Sequence, residues 1–441
     1  MSFATVIRRV PPGQGFLGRY PGLMALRYRL RHFMMVAGPG LIVMVADNDA
    51  GAISTYTQAG ALYGNSLLWV LLLLLPVTYF TQEMVARLGI ATGEGFAAMI
   101  HQRFGAGWSH LTLAGLLVLN FLTLVTEFAA IALAARQLGM PPTVAVPLAA
   151  IGLIMLVGTG SYRRWERMTL ALCGLNLGWF ALAWLAGPDW GNVLAGSVGA
   201  LPPASGFSGD LLFLVIAIVG TTIAPWQLFF QQSCVADKRL RFADMKASRI
   251  DTAVGAAAVV AFAGCMMLVG GTMYRHGLGY SDPAQMAGAL VPWLGGFGRN
   301  AILLLMINAA VLGATAISLS SAWAWGEVMG WRNTLQAPIS RAPGFYAAYA
   351  ASAAAAAGLT LIPGAPLQTI IVGVQVLAGI MLPVVLVLLQ LLTNDREVLG
   401  HRFVNRRWNN WVNVTVIAVL FALSFLLAAQ VLLPGLFPSA A

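Results

Sequence analysis

The sequence predicts an all-α polytopic membrane protein with about eleven spanning helices. Three observations lead to this fold class. Of the 441 residues, 59% are hydrophobic and only 9% are charged, whereas a soluble domain carries about 25% charged residues. The apolar residues occur in long blocks, and block after block reaches the roughly 20 residues that a helix needs to cross a bilayer. Two of these blocks contain a polar interruption in the middle of the span.

The predicted spans follow one another without room for a soluble domain between them. We predict a cytoplasmic N-terminal tail over 1–34 and a single transmembrane domain over 35–434. Within it, the predicted units are a first five-helix repeat, a second repeat and an additional helix, over 35–187, 209–392 and 410–434. The predicted spans are 35–60, 66–88, 110–135, 143–160, 168–187, 209–234, 252–274, 299–325, 344–362, 367–392 and 410–434.

The net charge of +10 reflects membrane topology rather than a nucleic-acid partner. With the N-terminus placed in the cytoplasm, all but three of the 25 basic residues fall in cytoplasmic segments. This asymmetry follows the positive-inside rule and predicts contact with anionic lipid. We therefore expect a multi-pass protein of the cell membrane, with its N-terminus cytoplasmic and its C-terminus external. The three exceptions are Arg136, Arg275 and Arg299.

Motifs for catalysis or for a resident cofactor do not occur in the sequence. Cys173, Cys234 and Cys265 lie in or beside apolar spans without CxxC spacing, which argues against a disulfide framework and a zinc site. The five histidines fall in loops or at span ends, and no nucleophile elbow or P-loop is present. We expect neither an enzyme nor a bound cofactor.

The number of spans predicts an inverted repeat, because five helices per half place the two halves in the membrane in opposite senses. The first span of each half has an anomaly. Gly38–Ala52 contains Asp47 and Asp49, and Ile218–Gln227 contains Pro225. Paired interruptions at corresponding positions indicate a transporter binding site, and non-helical backbone at that depth persists only where it lines a cavity. Spans 1 and 6 are therefore predicted to be broken helices around a site.

Asp49 is the residue of span 1 that best fits a cation ligand. An ionised carboxylate within a span costs at least about 2.5 kcal/mol, and it would supply a hard oxygen beside carbonyls freed by the break. The alternative is a solvated helix end with both aspartates as caps, against which the span continues at Ala59–Tyr63. Asp47 lies two residues away and would face the other side of a helix, so we expect a supporting or vestibule charge.

Pro225 is the corresponding feature of span 6. A proline removes a backbone donor and clashes with the carbonyl four residues back. Carbonyls near Thr221 and Thr222 would then be free to face a cation. An ordinary proline kink, which is common in spanning helices, is the alternative explanation.

Other polar residues within the spans leave two interpretations open. Glu127 in span 3 could be a proton-relay acid, or it could be protonated and bonded to a neighbouring helix. Gln375 in span 10 could ligate a cation or bond across helices. Span 9 has no acidic or basic residue, so a proton path would rest on Glu127 and the two aspartates. Glu83 and Glu327 lie nearer to span ends, where we expect them to snorkel.

Several short motifs in the spans belong to one recognisable pattern. They are Gly38-Pro-Gly, the Asp-x-Gly of Asp49–Gly51, Gly64–Val70, Ala86–Gly93 and Val374–Leu377. Together these motifs resemble the Nramp family of divalent-metal transporters. The resemblance covers spans 1 to 10 and implies a LeuT-like fold, a 5+5 inverted repeat with helices 1 and 6 broken.

Departures from the family pattern bear on the identity of the metal. Nramp metal carriers have Asp-Pro-Gly-Asn in span 1 and Met-Pro-His-Asn in span 6, whereas this chain has Asp49-Ala-Gly-Ala and Ala224-Pro-Trp-Gln. The aspartate is kept, the amide and thioether ligands are both replaced by alanine, and the histidine linked to proton movement is replaced by Trp226. This pattern is most similar to the Nramp-related magnesium transporters, whose features match Ala46–Gly51, Pro225-Trp226 and Gln231-Gln232-Ser233.

The resemblance implies a ligand set by position. Its members are the Asp49 carboxylate, the Ala46 and Thr221 carbonyls, and Gln375. Ala52 and Ala224 would leave space for water rather than bind the ion. Because a thioether favours softer metals and Mg²⁺ keeps several waters, this set favours Mg²⁺ or Mn²⁺ as the transported substrate. Further residues that would shape or support the site are Pro225, Trp226, Gln227, Asp47, Thr222 and Glu127.

The leading hypothesis is a monomeric carrier of Mg²⁺ and Mn²⁺ that works by alternating access without obligatory proton coupling. The nearest alternative is a proton-coupled Mn²⁺/Fe²⁺ carrier, which Glu127 supports and the missing methionine and histidine oppose. A LeuT-fold carrier of an organic solute is a third hypothesis, since a half-helix N-terminus can receive a carboxylate; Asp49 would repel that group. A receptor that binds without flux is the fourth.

Overall fold

The computed structural model describes residues 33–432, except 34, 202–207, 363 and 365. These residues form helices and the turns that join them, with no β-strand among them. The predicted tail over 1–34 lies outside the described residues apart from residue 33, and so do the last two residues of the predicted helix 410–434.

The described helices account for each of the eleven predicted spans, numbered in chain order. Spans 1 to 5 are Pro39–Ala46 with Ala50–Tyr63, Leu68–Thr92, Phe96–Gln137, Pro142–Val157, and Tyr162–Leu175 with Gly178–Leu185. Spans 6 to 11 are Gly209–Thr222 with Pro225–Lys238, Met245–Arg275, Val291–Met329, Pro343–Thr360, Leu367–Asn394 and Arg407–Leu432. Shorter helices in the connections are Trp190–Ser197, Pro283–Ala289 and Arg396–Phe403, with 3₁₀ turns at Phe242–Asp244 and Ile339–Arg341.

Eight helical segments of the described residues are long and apolar enough to cross a membrane. Spans 1, 4 and 9 are not among these eight segments because their helices are too short or not apolar enough. Span 1 is divided into helices of 8 and 14 residues, and span 4 is an apolar helix of only 16 residues. Span 9 has 18 residues, and its alanine-rich sequence includes two tyrosines, a serine and a threonine.

Spans 3 and 8 begin earlier than predicted, and each turns a corner near its start. Their helices contain one glycine with non-helical backbone, Gly105 (φ 84°, ψ 175°) and Gly295 (φ 66°, ψ 176°). Glycine accepts a positive φ without a steric penalty, so each residue separates a short leading helix from the span proper. The same corner therefore precedes the third helix of each predicted half.

Helix packing follows the correspondence between the two halves. Span 7 packs along both parts of span 1, and span 2 packs along the second part of span 6; exchanging the halves converts one contact into the other. Span 10 contacts the first part of span 6 as span 5 contacts the first part of span 1. This arrangement is the one expected of an inverted repeat, and it encloses both broken helices. The limits 35–187 and 209–392 stay predictions.

The expectation that Glu83 and Glu327 snorkel is wrong. Glu83 is buried and forms ion pairs with Arg87 and Arg249 at 3.2 and 2.8 Å. Glu327 accepts a hydrogen bond from the Ser233 hydroxyl at 2.6 Å and others from backbone N–H groups at the start of span 3. Partners inside the protein satisfy both carboxylates, so neither has to reach water.

Candidate metal site

Span 1 is interrupted at Asp47, Asn48 and Asp49, which are all buried. The second half of the span begins with Asp49 as its N-cap, in extended backbone conformation (φ −76°, ψ −169°). The Asp49 carboxylate accepts a hydrogen bond from the Ala52 N–H at 2.9 Å. A negative side chain is favoured at this positive end of a helix. The cap therefore fixes the Asp49 carboxylate at the break.

The break also removes the helical partner of the Ala46 carbonyl. In a continuous helix this oxygen would accept the N–H of residue 50. The Ala50 N–H instead donates to Glu127 Oε2 at 3.1 Å, and none of the loop and cap hydrogen bonds of the described residues ends on the Ala46 oxygen. Glu127 thus holds the break apart, and it leaves a backbone oxygen available beside Asp49.

Span 6 is interrupted at Ile223 and Ala224, between the helix that ends at Thr222 and the helix that begins at Pro225. Because proline has no N–H, the Thr221 carbonyl lacks the helical donor that it would otherwise have. The Thr221 hydroxyl is buried and also has no hydrogen-bond partner within the described residues. The span 6 break therefore presents oxygen atoms without adding a charge.

Span 10 lies directly against both breaks. A Cβ atom at Gly51 would lie 1.7 Å from Gln375 Nε2, and one at Gly220 would lie 2.0 Å from the Gln375 backbone oxygen. Only glycine leaves room for approaches this close. The Gln375 side chain is 2% exposed, and its Nε2 has no hydrogen-bond partner within the described residues. Gln375 therefore lies at the start of the second half of span 1, beside Asp49.

Glu127 is a close neighbour of Asp49. A Cβ atom at Gly313 of span 8 would lie 2.8 Å from the Asp49 Cβ and 3.0 Å from Glu127 Oε2. The two carboxyl groups therefore share one small space against the backbone of span 8. Glu127 is fully buried, and its Oε1 has no hydrogen-bond partner within the described residues. Glu127 therefore lies beside Asp49. The sequence had left open whether Glu127 is a proton-relay acid or is bonded to a neighbouring helix.

Two side-chain hydrogen bonds join the breaks to each other. The Tyr56 and Thr222 hydroxyls are 2.7 Å apart, and Gln227 Nε2 donates to Asp47 Oδ1. Asp47 therefore contacts the second half of span 6. The prediction that Asp47 faces away from Asp49 assumed a continuous helix, whereas the helix ends at Ala46.

Three further residues that were expected to shape the site are buried at the breaks. Ala52 and Ala224 offer no side-chain ligand. The Trp226 ring stands edge-on to Phe230, with 6.1 Å between ring centroids, and the Trp226 carbonyl accepts a hydrogen bond from the Ser320 hydroxyl at 3.0 Å. Trp226 thus anchors the second half of span 6 to span 8.

The atoms around the breaks are hard oxygen donors. Among the described residues, no three His, Cys, Asp or Glu side chains cluster in a way that could hold a metal ion. A cation would therefore depend on Asp49, with Glu127 nearby, and on carbonyl, amide and water oxygens. Such donors suit Mg²⁺, Ca²⁺ and Mn²⁺. Sequence reasoning did not identify Gln82 of span 2, which donates a hydrogen bond to the Gln227 oxygen at 2.8 Å, or the close approaches of other spans at Gly220 and Gly313.

Comparison with known proteins decides the family. Residues 40–430 match the family model described as natural resistance-associated macrophage protein-like, or Nramp. The chain belongs to the Nramp family. The resemblance inferred from the short motifs is thereby confirmed at the level of the family.

Curated Nramp relatives are similar over most of their length. The divalent metal cation transporter MntH of Verminephrobacter eiseniae (strain EF01-2) is 27% identical over 416 residues, which cover 90% of this chain and 88% of that protein. The divalent metal cation transporter MntH 1 of Pseudomonas aeruginosa is 29% identical over 406 residues, which cover 86% of this chain and 88% of that protein. By name, both relatives are transporters and not enzymes.

Solved structures show the same fold. A manganese transporter of Eremococcus coleocola, in complex with an aromatic bis-isothiourea substituted compound, superposes with a TM-score of 0.74 at 18% identity over 95% of this chain and 88% of that chain. MhsT in complex with L-phenylalanine gives a TM-score of 0.56 at 14% identity over 88% of this chain and 98% of that chain. At these identities the likeness establishes the fold alone, and the predicted LeuT-like all-helical fold is confirmed.

Proposed function

We propose that this Nramp chain carries divalent metal cations across the cell membrane by alternating access, with Mg²⁺ and Mn²⁺ as its substrates and without obligatory proton coupling. The observation that carries this proposal is the donor set at the two breaks. It combines the Asp49 carboxylate with the freed carbonyls of Ala46 and Thr221 and the Gln375 amide. The names of the curated relatives support divalent metal cations as the class of substrate.

The lack of sulfur and amide side chains at positions 224 and 52 favours Mg²⁺ as a substrate. Ala224 lies in the span 6 break and Ala52 in the first turn of the helix after the span 1 break, and neither side chain contributes a sulfur or amide ligand. Mg²⁺ sheds water reluctantly and usually binds proteins through one or two carboxylates, with several waters retained. A site with few protein ligands and no thioether leaves coordination positions for those waters. Softer transition metals gain no special advantage from such a set.

A proton-coupled Mn²⁺/Fe²⁺ carrier is the second candidate function, and Glu127 is the observation that favours it. This buried carboxyl group lies against Asp49 and has one oxygen without a partner within the described residues. Against it, Trp226 is anchored in an aromatic contact, and span 9 has no acidic or basic residue. A proton that entered at Glu127 would therefore find no acidic or basic side chain at position 226 or along span 9.

Flux measurements in proteoliposomes test both candidates together. We expect Mg²⁺ and Mn²⁺ to enter vesicles that contain the protein, while a pH-sensitive dye in the lumen reports no acidification. Vesicles with the same amount of the Asp49→Ala variant provide the control for leakage. Acidification in step with metal entry would instead support the proton-coupled candidate, and rejection of Mg²⁺ would contradict the proposed substrates. Binding of the metal without flux would identify a receptor.

The orientation in the membrane is part of the proposal. The basic residues favour a cytoplasmic N-terminus and a cytoplasmic connection between spans 6 and 7, with the C-terminus external. Lys246 in the first turn of span 7, beside that connection, and Arg136 in the last turn of span 3 are both exposed, and the three native cysteines are buried. A membrane-impermeant thiol reagent should therefore label Arg136→Cys, but not Lys246→Cys, from outside intact cells. The reverse pattern would overturn the orientation.

We also propose that the monomer is the transporting unit. All the ligand atoms named for the site come from one chain, in spans 1, 6 and 10. Light scattering of the detergent-solubilised protein should give the mass of one chain. A stable dimer that loses flux when it dissociates would contradict this part of the proposal.

A further inference from the structure

A second carboxylate, Asp47, is buried at the span 1 break and is not needed for the ligand set around Asp49. Its exposed fraction is 1%, and none of the ion pairs of the described residues involves it. One oxygen, Oδ1, accepts the Gln227 side-chain N–H. The other, Oδ2, has no hydrogen-bond partner within the described residues. A buried carboxylate with this little compensation is costly to the fold.

Asp47 orients a chain of amide side chains that extends toward span 2. Because a carboxylate only accepts hydrogen bonds, Gln227 must turn its N–H toward Asp47 and its oxygen away. Gln82 of span 2 then donates to that oxygen at 2.8 Å. The Gln82 oxygen at the end of the chain has no partner within the described residues. The negative charge of Asp47 thus leaves an acceptor oxygen, rather than a donor, at the far end.

Two further side-chain amides near the break also donate through nitrogen and leave their oxygen unpaired. Asn48 donates to the Val259 carbonyl at 3.4 Å, and Gln231, about one turn beyond Gln227, donates to the Thr252 hydroxyl at 3.1 Å. In both, the side-chain oxygen has no partner within the described residues. Both residues are fully buried. Asp47 and the amides around it therefore present unpaired oxygens, while the nitrogen of each amide already donates a hydrogen bond.

Unpaired acceptors in the same buried polar network as a carboxylate match the chemistry of a hydrated cation. A water molecule bound to a divalent cation points its protons outward, so the hydrated ion presents donors and positive charge to its surroundings. Mg²⁺ in particular usually keeps several waters when it binds a protein. Asp47 is also the C-cap of the helix Pro39–Ala46, and the C-terminal end of a helix favours a cation. An anion or an apolar solute would find none of these contacts favourable.

We propose that Asp47, Asn48, Gln82 and Gln227 form a second station for a hydrated divalent cation, which each ion occupies on its passage to or from Asp49. This inference rests on the proposed function. Asp47 and Asp49 are two residues apart, at most about 7 Å between Cα atoms, so two divalent ions at both stations would repel each other. The station therefore holds one ion in transit. Its acceptors bind the water of the ion, and Asp47 balances the charge.

Mn²⁺ binding and transport by matched variants test the station. In the Asp49→Ala variant, electron paramagnetic resonance should detect a residual Mn²⁺ site that is about tenfold or more weaker than in the unaltered protein, equivalent to about 1.4 kcal/mol or more. That residual site should disappear in the Asp47→Asn, Asp49→Ala double variant. Asn is chosen because its oxygen still accepts the Gln227 N–H and keeps the packing.

Transport separates a station from a structural role. Asp47→Asn should lower the Mn²⁺ transport rate at saturation by about tenfold while leaving the affinity of the Asp49 site within about threefold. Gln82→Leu, a second variant outside span 1, should lower the rate in the same direction by a smaller factor. Asp189→Asn removes a carboxylate that is exposed and caps the short helix Trp190–Ser197, so it controls for loss of a charge and should leave the rate unchanged.

The inference is overturned if Asp49→Ala binds no Mn²⁺ and Asp47→Asn transports at the rate of the unaltered protein. It is also overturned if Asp47→Asn lowers rate, affinity and thermal stability together, because Asp47 would then serve the fold alone. Failure of the proposed function would be visible separately, since the unaltered protein would neither bind nor transport Mn²⁺.

Discussion

The two helix breaks occupy corresponding positions in the two halves, yet they differ in chemistry. The span 1 break comprises Asp47, Asn48 and Asp49, with two carboxylates and an amide. The span 6 break comprises Ile223 and Ala224 and is followed by Pro225. Both interruptions deprive a carbonyl of its helical donor, but only the first adds negative charge. The two breaks therefore share unpaired carbonyl oxygens, and only the span 1 break adds carboxylate side chains to them.

The breaks also differ in how the protein keeps them apart. In span 1, Glu127 takes the N–H of Ala50 that would otherwise close the helix. In span 6, Pro225 has no N–H, so the hydrogen bond that would continue the helix cannot form whatever packs beside it. The span 1 break therefore depends on a neighbouring helix, whereas the span 6 break depends only on its own proline. Substitutions on each side should therefore act on different properties.

The largest effect should come from removing the charge of the span 1 break. Asp49→Ala deletes the anionic ligand and the N-cap together, and we expect at least a hundredfold loss of Mn²⁺ transport. Loss of an N-cap alone costs about 1 kcal/mol, so the protein should still fold. The measurement is flux in proteoliposomes beside a thermal melt in detergent. Asp189→Ala, an exposed N-cap elsewhere, is the matched control; equal loss in both variants would contradict the comparison.

Two glycines that contact span 10 distinguish the breaks. Gly51 lies against the side chain of Gln375, and Gly220 lies against its backbone. A Cβ atom at Gly51 meets the flexible amide of Gln375, while one at Gly220 meets the Gln375 backbone oxygen at 2.0 Å. Gly51→Ala should displace the amide and weaken Mn²⁺ binding about tenfold, or 1.4 kcal/mol, with the fold retained. Gly220→Ala should destabilise the fold by about 1–3 kcal/mol through overpacking.

Gly373→Ala is the control for this pair, since a Cβ atom there meets nothing within 4 Å. It should change neither Mn²⁺ affinity, measured by calorimetry, nor the melting temperature. A Gly51→Ala variant with unaltered affinity would remove Gln375 from the ligand set. A Gly220→Ala variant as stable as the unaltered protein would show that spans 6 and 10 adjust at this contact.

A smaller effect, on selectivity rather than on activity, should follow from adding ligands to both breaks. Ala224→Met combined with Ala52→Asn supplies a thioether and an amide in space that waters of Mg²⁺ would occupy. The preference for Mn²⁺ over Mg²⁺ should rise about tenfold, equivalent to 1.4 kcal/mol, because sulfur is a poor partner for a hard ion. Competition binding measures this without relying on flux, which overpacking could block. An unchanged preference would show that these positions do not face the ion.

The smallest effect should come from repairing the span 6 break. Pro225→Ala restores an N–H that can donate to the Thr221 carbonyl, and so withdraws one neutral ligand from the ion. We expect Mn²⁺ affinity to fall by about twofold to fivefold, less than 1 kcal/mol. Pro76→Ala, at an exposed proline inside span 2, is the control. A loss as large as that of Asp49→Ala would mean that the breaks contribute equally.

The number of spans, the positions of both breaks and the proline that causes the second break could be predicted from the amino-acid sequence. These features depend on local chemistry. Long apolar blocks must form helices in a membrane because every backbone polar group needs a partner there, and Pro225 deprives Thr221 of its donor whatever surrounds it. The same reasoning selected Asp49 as the candidate cation ligand, whereas the alanines at positions 52 and 224 gained their meaning only from the resemblance to the Nramp motifs.

The side chains from other spans that meet the breaks could not be predicted, because helix packing brings them there. Glu127 is 77 positions from Ala50, Gln227 is 180 positions from Asp47, and Gln82 is 145 positions from Gln227. No periodicity within one span fixes such pairs, because they depend on how helices cross. Gly51 belongs to a motif in the sequence, but neither Gly51 nor Gly220 indicates there that Gln375 packs against it. Their meaning lies in the backbone or side chain that each one allows to approach.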